Sequence, residues 1–163
     1  MKLEKENWVA IKSPIGIVRV FEVKGKVAFI DIAASDARVG SSSESKILEL
    51  AETELMEYFD GNRTAFTFPV ELTHGTDFQQ RVWKQIAKIP FGKTMTYAEI
   101  AKAIGKPLAS RAVGGAVGAN PVPLVVGCHR ILGTGGRITG YSGGEGLRTK
   151  RWLLAHEGLS AKE

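Results

Sequence analysis

One cysteine occurs in the 163 residues, Cys128, within the run Val125-Val126-Gly127-Cys128-His129-Arg130. A thiol with an imidazole near it is a nucleophilic pairing, because the thiolate reacts and a base must take its proton. Neighbours in sequence point their side chains in different directions, so coupling Cys128 to His129 requires a turn or a bridging water. The competing reading is a small buried hydrophobe, the commonest fate of a lone Cys in apolar surroundings. The residues from Val122 to Val126, broken by Pro123 and preceded by Pro121, predict a short buried strand or extended segment that aims the thiol.

More polar groups follow. Thr139-Gly140-Tyr141-Ser142-Gly143-Gly144 is a glycine-rich loop with one phenol, able to offer backbone N–H groups to a ligand. It lacks the Lys and the spacing of a phosphate-binding loop, so triphosphate chemistry of that kind is excluded. Gly133-Thr134-Gly135-Gly136 reads as a tight hairpin or loop. A helix is predicted over Leu147 to His156, with Leu153 and Leu154 inward and Glu157-Gly158 at its end. A carboxylate there opposes the helix dipole and calls for a compensating partner, for which a histidine is the natural candidate.

The elements before the cysteine must position it. Thr76 caps a helix predicted through Lys88, with Phe78, Val82, Trp83 and Ile86 on one face. Thr96 and Glu99 form a capping box that opens a helix from Tyr97 to Ile104, stopped by Gly105 and Pro107. A second helix is predicted over Leu108 to Ala119, closed by Asn120-Pro121. Two short helices across a Gly/Pro turn form a helix-turn-helix signature. The second holds Gly114, Gly115 and Gly118, each costing about 1 kcal/mol against alanine. Such small residues allow close approach to a narrow space such as a minor groove, or else tight packing in the core. Arg111 projects from this helix as a phosphate contact, a surface charge, or a filler for a gap in a base stack.

The first half reads as scaffold. Trp8 to Ile11, Ile17 to Val23 and Val27 to Ile32 predict an antiparallel meander, with turns at Ser13-Pro14-Ile15-Gly16 and Lys24-Gly25-Lys26. A helix is predicted from Ser43 to Asp60, stopped at Gly61, and a further edge strand over Ala65 to Leu72 despite Pro69. No constellation of polar groups there points to chemistry. The boundary falls near His74-Gly75, giving an α/β support domain (1–75) and a second domain (76–163).

Residues 1–75 carry 9 Lys/Arg against 12 Asp/Glu, and residues 76–163 carry 13 against 5, a net charge of −3 beside +8. A basic second half favours nucleic acid as its partner, over basic helices that are merely solvated. One Cys excludes an internal disulfide and a multi-cysteine zinc site. No apolar run approaches the roughly 20 residues of a membrane span, and the charged start lacks the apolar core of a signal peptide. A reducing interior is expected, cytoplasmic or, in a eukaryote, nuclear.

Together these residues resemble the O6-alkylguanine-DNA alkyltransferase family. The resemblance runs from Phe78 to Gly158 through Ile89-Pro90-Phe91-Gly92 with Thr96-Tyr97, Arg111-Ala112-Val113-Gly114 to Asn120-Pro121, Cys128-His129-Arg130, Tyr141-Ser142-Gly143-Gly144 and Leu153 to Gly158. It implies an α+β chain: a small ribonuclease-H-like sheet with a helix, then a helix-turn-helix, winged-helix-like domain. It implies irreversible transfer of an alkyl group from the O6 atom of guanine in double-stranded DNA to Cys128, with the O4 atom of thymine as a second source. Glu157 would orient His129, which would deprotonate Cys128 through a water. Tyr141 would hydrogen-bond the purine. The DNA contacts would be Tyr97 on a phosphate, Arg111 in the gap left by a flipped nucleotide, Ala112 and Gly115 in the minor groove and Ser142 near O6. Asn120 would brace the turn into the active-site segment. No cofactor and no metal are expected, and the protein should act as a monomer that can cluster on DNA. One residue departs from the family pattern: Gly127 stands where Pro is usual.

Three other readings compete. A lesion sensor without transfer would lack the cysteine. A helix-turn-helix regulator would need a long polar recognition helix, the opposite of residues 111–119. A cysteine hydrolase would need a separate His-Asn pair.

Overall fold

The computed structural model describes residues 7–32, 38–42 and 44–162. Strands β1 (Asn7–Ser13), β2 (Gly16–Val23) and β3 (Lys26–Ile32) pair antiparallel, and β4 (Gly40–Ser41) joins β1 to give the order β3-β2-β1-β4. The meander forms as its alternation predicts: Val9, Ile11, Val18, Val20, Ile30 and Ile32 all turn to one buried face. Helix α1 (Lys46–Phe59) covers it with Leu48, Ala51, Leu55 and Tyr58, one side of a helical wheel. Ser45 caps α1 by accepting from Leu48 N, and Gly61, at φ 81°, lets the chain turn away. The helix thus starts after Ser43, which lies outside the described residues, as do residues 1–6.

The strand predicted over Ala65 to Leu72 does not form. Val70 makes a single parallel bridge to Val27, flanked by Val27 N to Pro69 O at 2.9 Å and Glu71 N to Val27 O at 2.8 Å. Pro69 has no N–H with which to extend a ladder. Upstream, Thr67 gives its N–H and its hydroxyl to the buried carboxylate of Glu54 instead.

The second half packs α2 (Asp77–Ala87), α3 (Tyr97–Ala103) and α4 (Ser110–Gly118) around Val82, Ile86, Ile100, Ala101, Val113 and Val117. Thr76 with Gln79, and Thr96 with Glu99, form reciprocal capping boxes. Trp83 Nε1 donates to Ala116 O at 2.8 Å and so fixes α4 on α2. Strand β5 (Met95–Thr96) pairs parallel with β6 (Ile131–Leu132), a link the sequence reading did not anticipate. It ties the start of α3 to the chain just past the cysteine. Helix α5 (Leu147–His156) returns to the first half, where the His156 ring lies 5.0 Å from that of Tyr58 and stacks on Trp152 at 4.8 Å. The result is a mixed α/β fold, an antiparallel sheet plus helices. Among the described residues no helix is long and apolar enough to cross a membrane.

Candidate active site

The segment before the cysteine is not extended. Val122 to Val126 coils into a compact turn, with Val126 N bonded to Val122 O at 3.0 Å and Leu124 at φ 78°. Pro121 and Pro123 cannot donate to a ladder, so the apolar run is buried as a turn. Asn120 spans that turn: its Nδ2 donates to Val126 O at 2.7 Å and its Oδ1 accepts from Val122 N at 3.0 Å. Gly127 follows at φ −73° and ψ 66°, with Cys128 N bonded to Val126 O at 2.7 Å. This φ lies within the range that proline would fix. Cys128, His129 and Arg130 then form one turn of 3₁₀ helix, all three buried.

Behind this turn stands Glu157, the residue that ends α5. Its Oε2 accepts from His129 Nε2 at 2.7 Å, Tyr58 Oη at 2.7 Å and Arg130 Nη2 at 3.0 Å. Its Oε1 accepts from Arg130 Nε at 2.8 Å and Gly92 N at 3.2 Å. Burial alone raises a carboxyl pKa, but the hydrogen bonds from His129, Arg130 and Tyr58 outweigh it and hold Glu157 well below the usual range. An ionised carboxylate only accepts, so His129 Nε2 must carry a proton. Burial, aided by the Arg130 and Lys150 cations, lowers the pKa of His129 against the pull of Glu157, which favours the neutral ring. Its Nδ1 is therefore a buried lone pair, with no hydrogen-bond partner among the described residues.

Cys128 opens onto two adjoining cavities of about 180 and 310 Å³, both walled by Val117, Gly118, Tyr141 and Ser142. Asn120 and Pro123 line the inner one, Tyr97 and Gly114 the outer. Burial raises the Cys128 pKa, while Asn120, Lys150 and Tyr141 pull the other way. The resting sulfur is thus a thiol that needs a base. Tyr141 Oη is buried and lies close enough to Cys128 for each to shift the other, yet makes no hydrogen bond of ordinary geometry among the described residues. Lys150 Nζ donates to the carbonyls of Ile131 at 2.6 Å and Thr139 at 3.3 Å, pinning the loop that carries Tyr141. Burial lowers its pKa to about 8, so at neutral pH it is a cation near the sulfur.

The outer face of α4 exposes Arg111, Ala112, Gly115 and Gly118. A β-carbon at Gly115 or Gly118 would meet nothing within 4 Å, and one at Gly114 only touches Tyr97 at 4.0 Å. Packing inside the protein therefore does not require these glycines; their smallness faces outward.

Cys128, His129, Glu157, Tyr141 and Asn120 converge at one place, Ser142 and Tyr97 line its mouth, and Arg111, Ala112 and Gly115 sit on the adjoining helix face. Three residues without a role in the sequence reading join them: Tyr58, Arg130 and Lys150. Arg130 could have been found from its place in the Cys-His-Arg run; Lys150 sits among Arg148 and Arg151, and nothing in the sequence sets it apart from them. Among the described residues no group of three His, Cys, Asp or Glu side chains could hold a metal ion.

Fold and site together define a class: a protein with one buried thiol, an imidazole–carboxylate pair behind it, a cavity in front and a smooth helix face beside it. The profile described as "6-O-methylguanine DNA methyltransferase, DNA binding domain" matches residues 77–159. The methylated-DNA–protein-cysteine methyltransferase of Mycolicibacterium paratuberculosis is 40% identical over 150 residues, 90% of this chain and 89% of that one. The inducible one of Bacillus subtilis is 49% identical over 102 residues, 63% of this chain and 56% of that one. The crystal structure of Mycobacterium tuberculosis OGT in complex with DNA superposes with a TM-score of 0.81 at 40% identity, covering 92% of this chain and 91% of that one. The chain belongs to the 6-O-methylguanine DNA methyltransferase family.

Proposed function

We propose that this protein repairs DNA by moving an alkyl group from O6 of guanine onto Cys128, once per molecule. What carries the reading is the position of the only cysteine: at the floor of a cavity, with the His129–Glu157 pair behind it. The thiol proton passes to Nδ1 of neutral His129 across a bridging water, and Glu157 stabilises the imidazolium that forms. The thiolate sulfur attacks the alkyl carbon; the S–C bond forms as the C–O6 bond breaks. The electron pair returns to the purine, which takes up one proton in place of the one the thiol lost. Tyr141 Oη, buried and without a protein partner among the described residues, donates to the purine ring as its charge grows. The thioether is stable, so the molecule is spent.

The base reaches the sulfur by leaving the stack, which costs a few kcal/mol. The exposed small residues of α4 support its lying in the minor groove, with Ala112 and Gly115 against the groove, Arg111 in the vacated stack and Tyr97 on the phosphate. Ser142 faces the O6 position, and O4 of alkylated thymine is a second substrate. Asn120 serves as the structural hinge between α4 and the cysteine turn. In this reading residues 76–163 form a helix-turn-helix, winged-helix-like domain, and residues 1–75 a ribonuclease-H-like support.

Intact-protein mass spectrometry after incubation with duplex DNA containing O6-methylguanine tests the function. One methyl on Cys128, absent in Cys128→Ala, supports it. DNA binding without an adduct would instead assign a lesion sensor.

A further inference from the structure

Tyr58 belongs to α1, in the half of the chain that reads as scaffold, yet its hydroxyl lies 99 residues away in sequence on the atom that takes His129. Its ring is fully buried against Phe66 at 5.5 Å, Phe91 at 6.1 Å and His156 at 5.0 Å. Its own carbonyl oxygen is 2.6 Å from His156 Nε2. Backbone and side chain are thus both clamped to the second half. A ring needed only for packing would be served by Phe, which spares the burial of a hydroxyl. The hydroxyl instead ends on a buried carboxylate.

From this geometry we infer that Tyr58 is a positioning residue for alkyl transfer: it holds Glu157 Oε2 against His129 and tempers the charge that His129 meets. The inference rests on the proposed transfer chemistry. Burial, then Glu157, raises the Tyr58 pKa far above its ordinary value, so the phenol remains a donor throughout the working pH range. The charged groups facing His129 are Glu157, Arg130 and Lys150, and Tyr58 is a further group on that carboxylate. Removing a neutral donor leaves more negative charge on Oε2. The imidazolium then gains stability, and His129 stays protonated, unable to act as a base, to higher pH.

Tyr58→Phe keeps the ring and deletes the hydroxyl. Single-turnover transfer from duplex O6-methylguanine DNA should slow about tenfold at pH 7, the scale of one hydrogen bond to a charged group. The acid limb of its pH–rate profile should move up by about one unit, with unchanged DNA affinity. In a Glu157→Gln background the same substitution should have no further effect. A Tyr58→Phe protein with the parent rate and profile overturns the inference, as does an equal loss in both backgrounds. If Tyr58→Phe folds poorly, the pKa of His129 read by NMR in the surviving folded fraction decides: an unmoved value overturns it. Failure of the transfer reading is distinct, since the parent protein would then form no adduct.

Discussion

Arg130 folds its side chain back over Gly127, so that a β-carbon at position 127 would lie 2.9 Å from Nη1 and 3.1 Å from Cδ. The guanidinium cannot easily give way. It donates to both oxygens of Glu157 and to Ile89 O at 2.8 Å.

Gly127→Ala therefore sets two effects against each other. The less flexible unfolded chain favours Ala by about 0.4–1 kcal/mol. Overpacking against a held side chain costs about 1–3 kcal/mol. The second should win, giving net destabilisation of about 1 kcal/mol and slower transfer. Urea denaturation and single-turnover kinetics check this, and a gain in stability would refute it.

Gly115 separates folding from DNA contact. With open space at its β-carbon position, Gly115→Ala should stabilise α4 by about 0.5–1 kcal/mol. Gly115→Leu should fold equally well but weaken duplex binding at least tenfold by blocking close approach. Thermal melts and fluorescence anisotropy read the two effects. Undiminished affinity in the leucine variant would remove α4 from the groove.

Arg111 stands exposed at the start of α4. Arg111→Ala should slow repair of duplex DNA more than tenfold while free O6-alkylguanine bases react nearly as before, because only the duplex must hold a base out of its stack. Competing rate measurements on the two substrates decide; equal losses would contradict the role.

Acid should unfold the protein in two stages. Burial holds the His129 pKa below its ordinary 6.5, so the unfolded chain binds a proton that the folded one refuses. The His129 contribution to stability is complete above pH 6.5 and declines as pH falls below it. Glu157, held well below its ordinary 4.5, adds a second decline below that pH. His129→Gln should abolish the first stage and keep the second, as read by denaturant midpoints across pH.

Local rules made much of this legible. The Thr76–Gln79 and Thr96–Glu99 boxes sit within one helical turn, and the apolar faces of α1 and α2 repeat at helical spacing. The meander showed through its alternation. The run from Val122 to Val126 looks extended in sequence because a buried turn and a buried strand share one composition; Pro121, Pro123 and the left-handed Leu124 decide for a turn. Strands β4, β5 and β6, two residues each, are too short to show a period. Within the site, Cys128, His129 and Glu157 stood out by type and by helix-end electrostatics. Tyr58 did not, because a tyrosine on the apolar side of a helix reads as core until its distant acceptor is known.

Glu157 gathers donors from positions 58, 92, 129 and 130. Pulling α1 away would strip that charge of one of its shields and expose the aromatic cluster around it. The sheet and the helical half are thus thermodynamically welded, at this carboxylate and at the Ile30 N to Pro121 O and Gly144 N to Ile32 O bonds. Heat should melt them in one cooperative transition, so damage to the scaffold silences the chemistry without touching the sulfur.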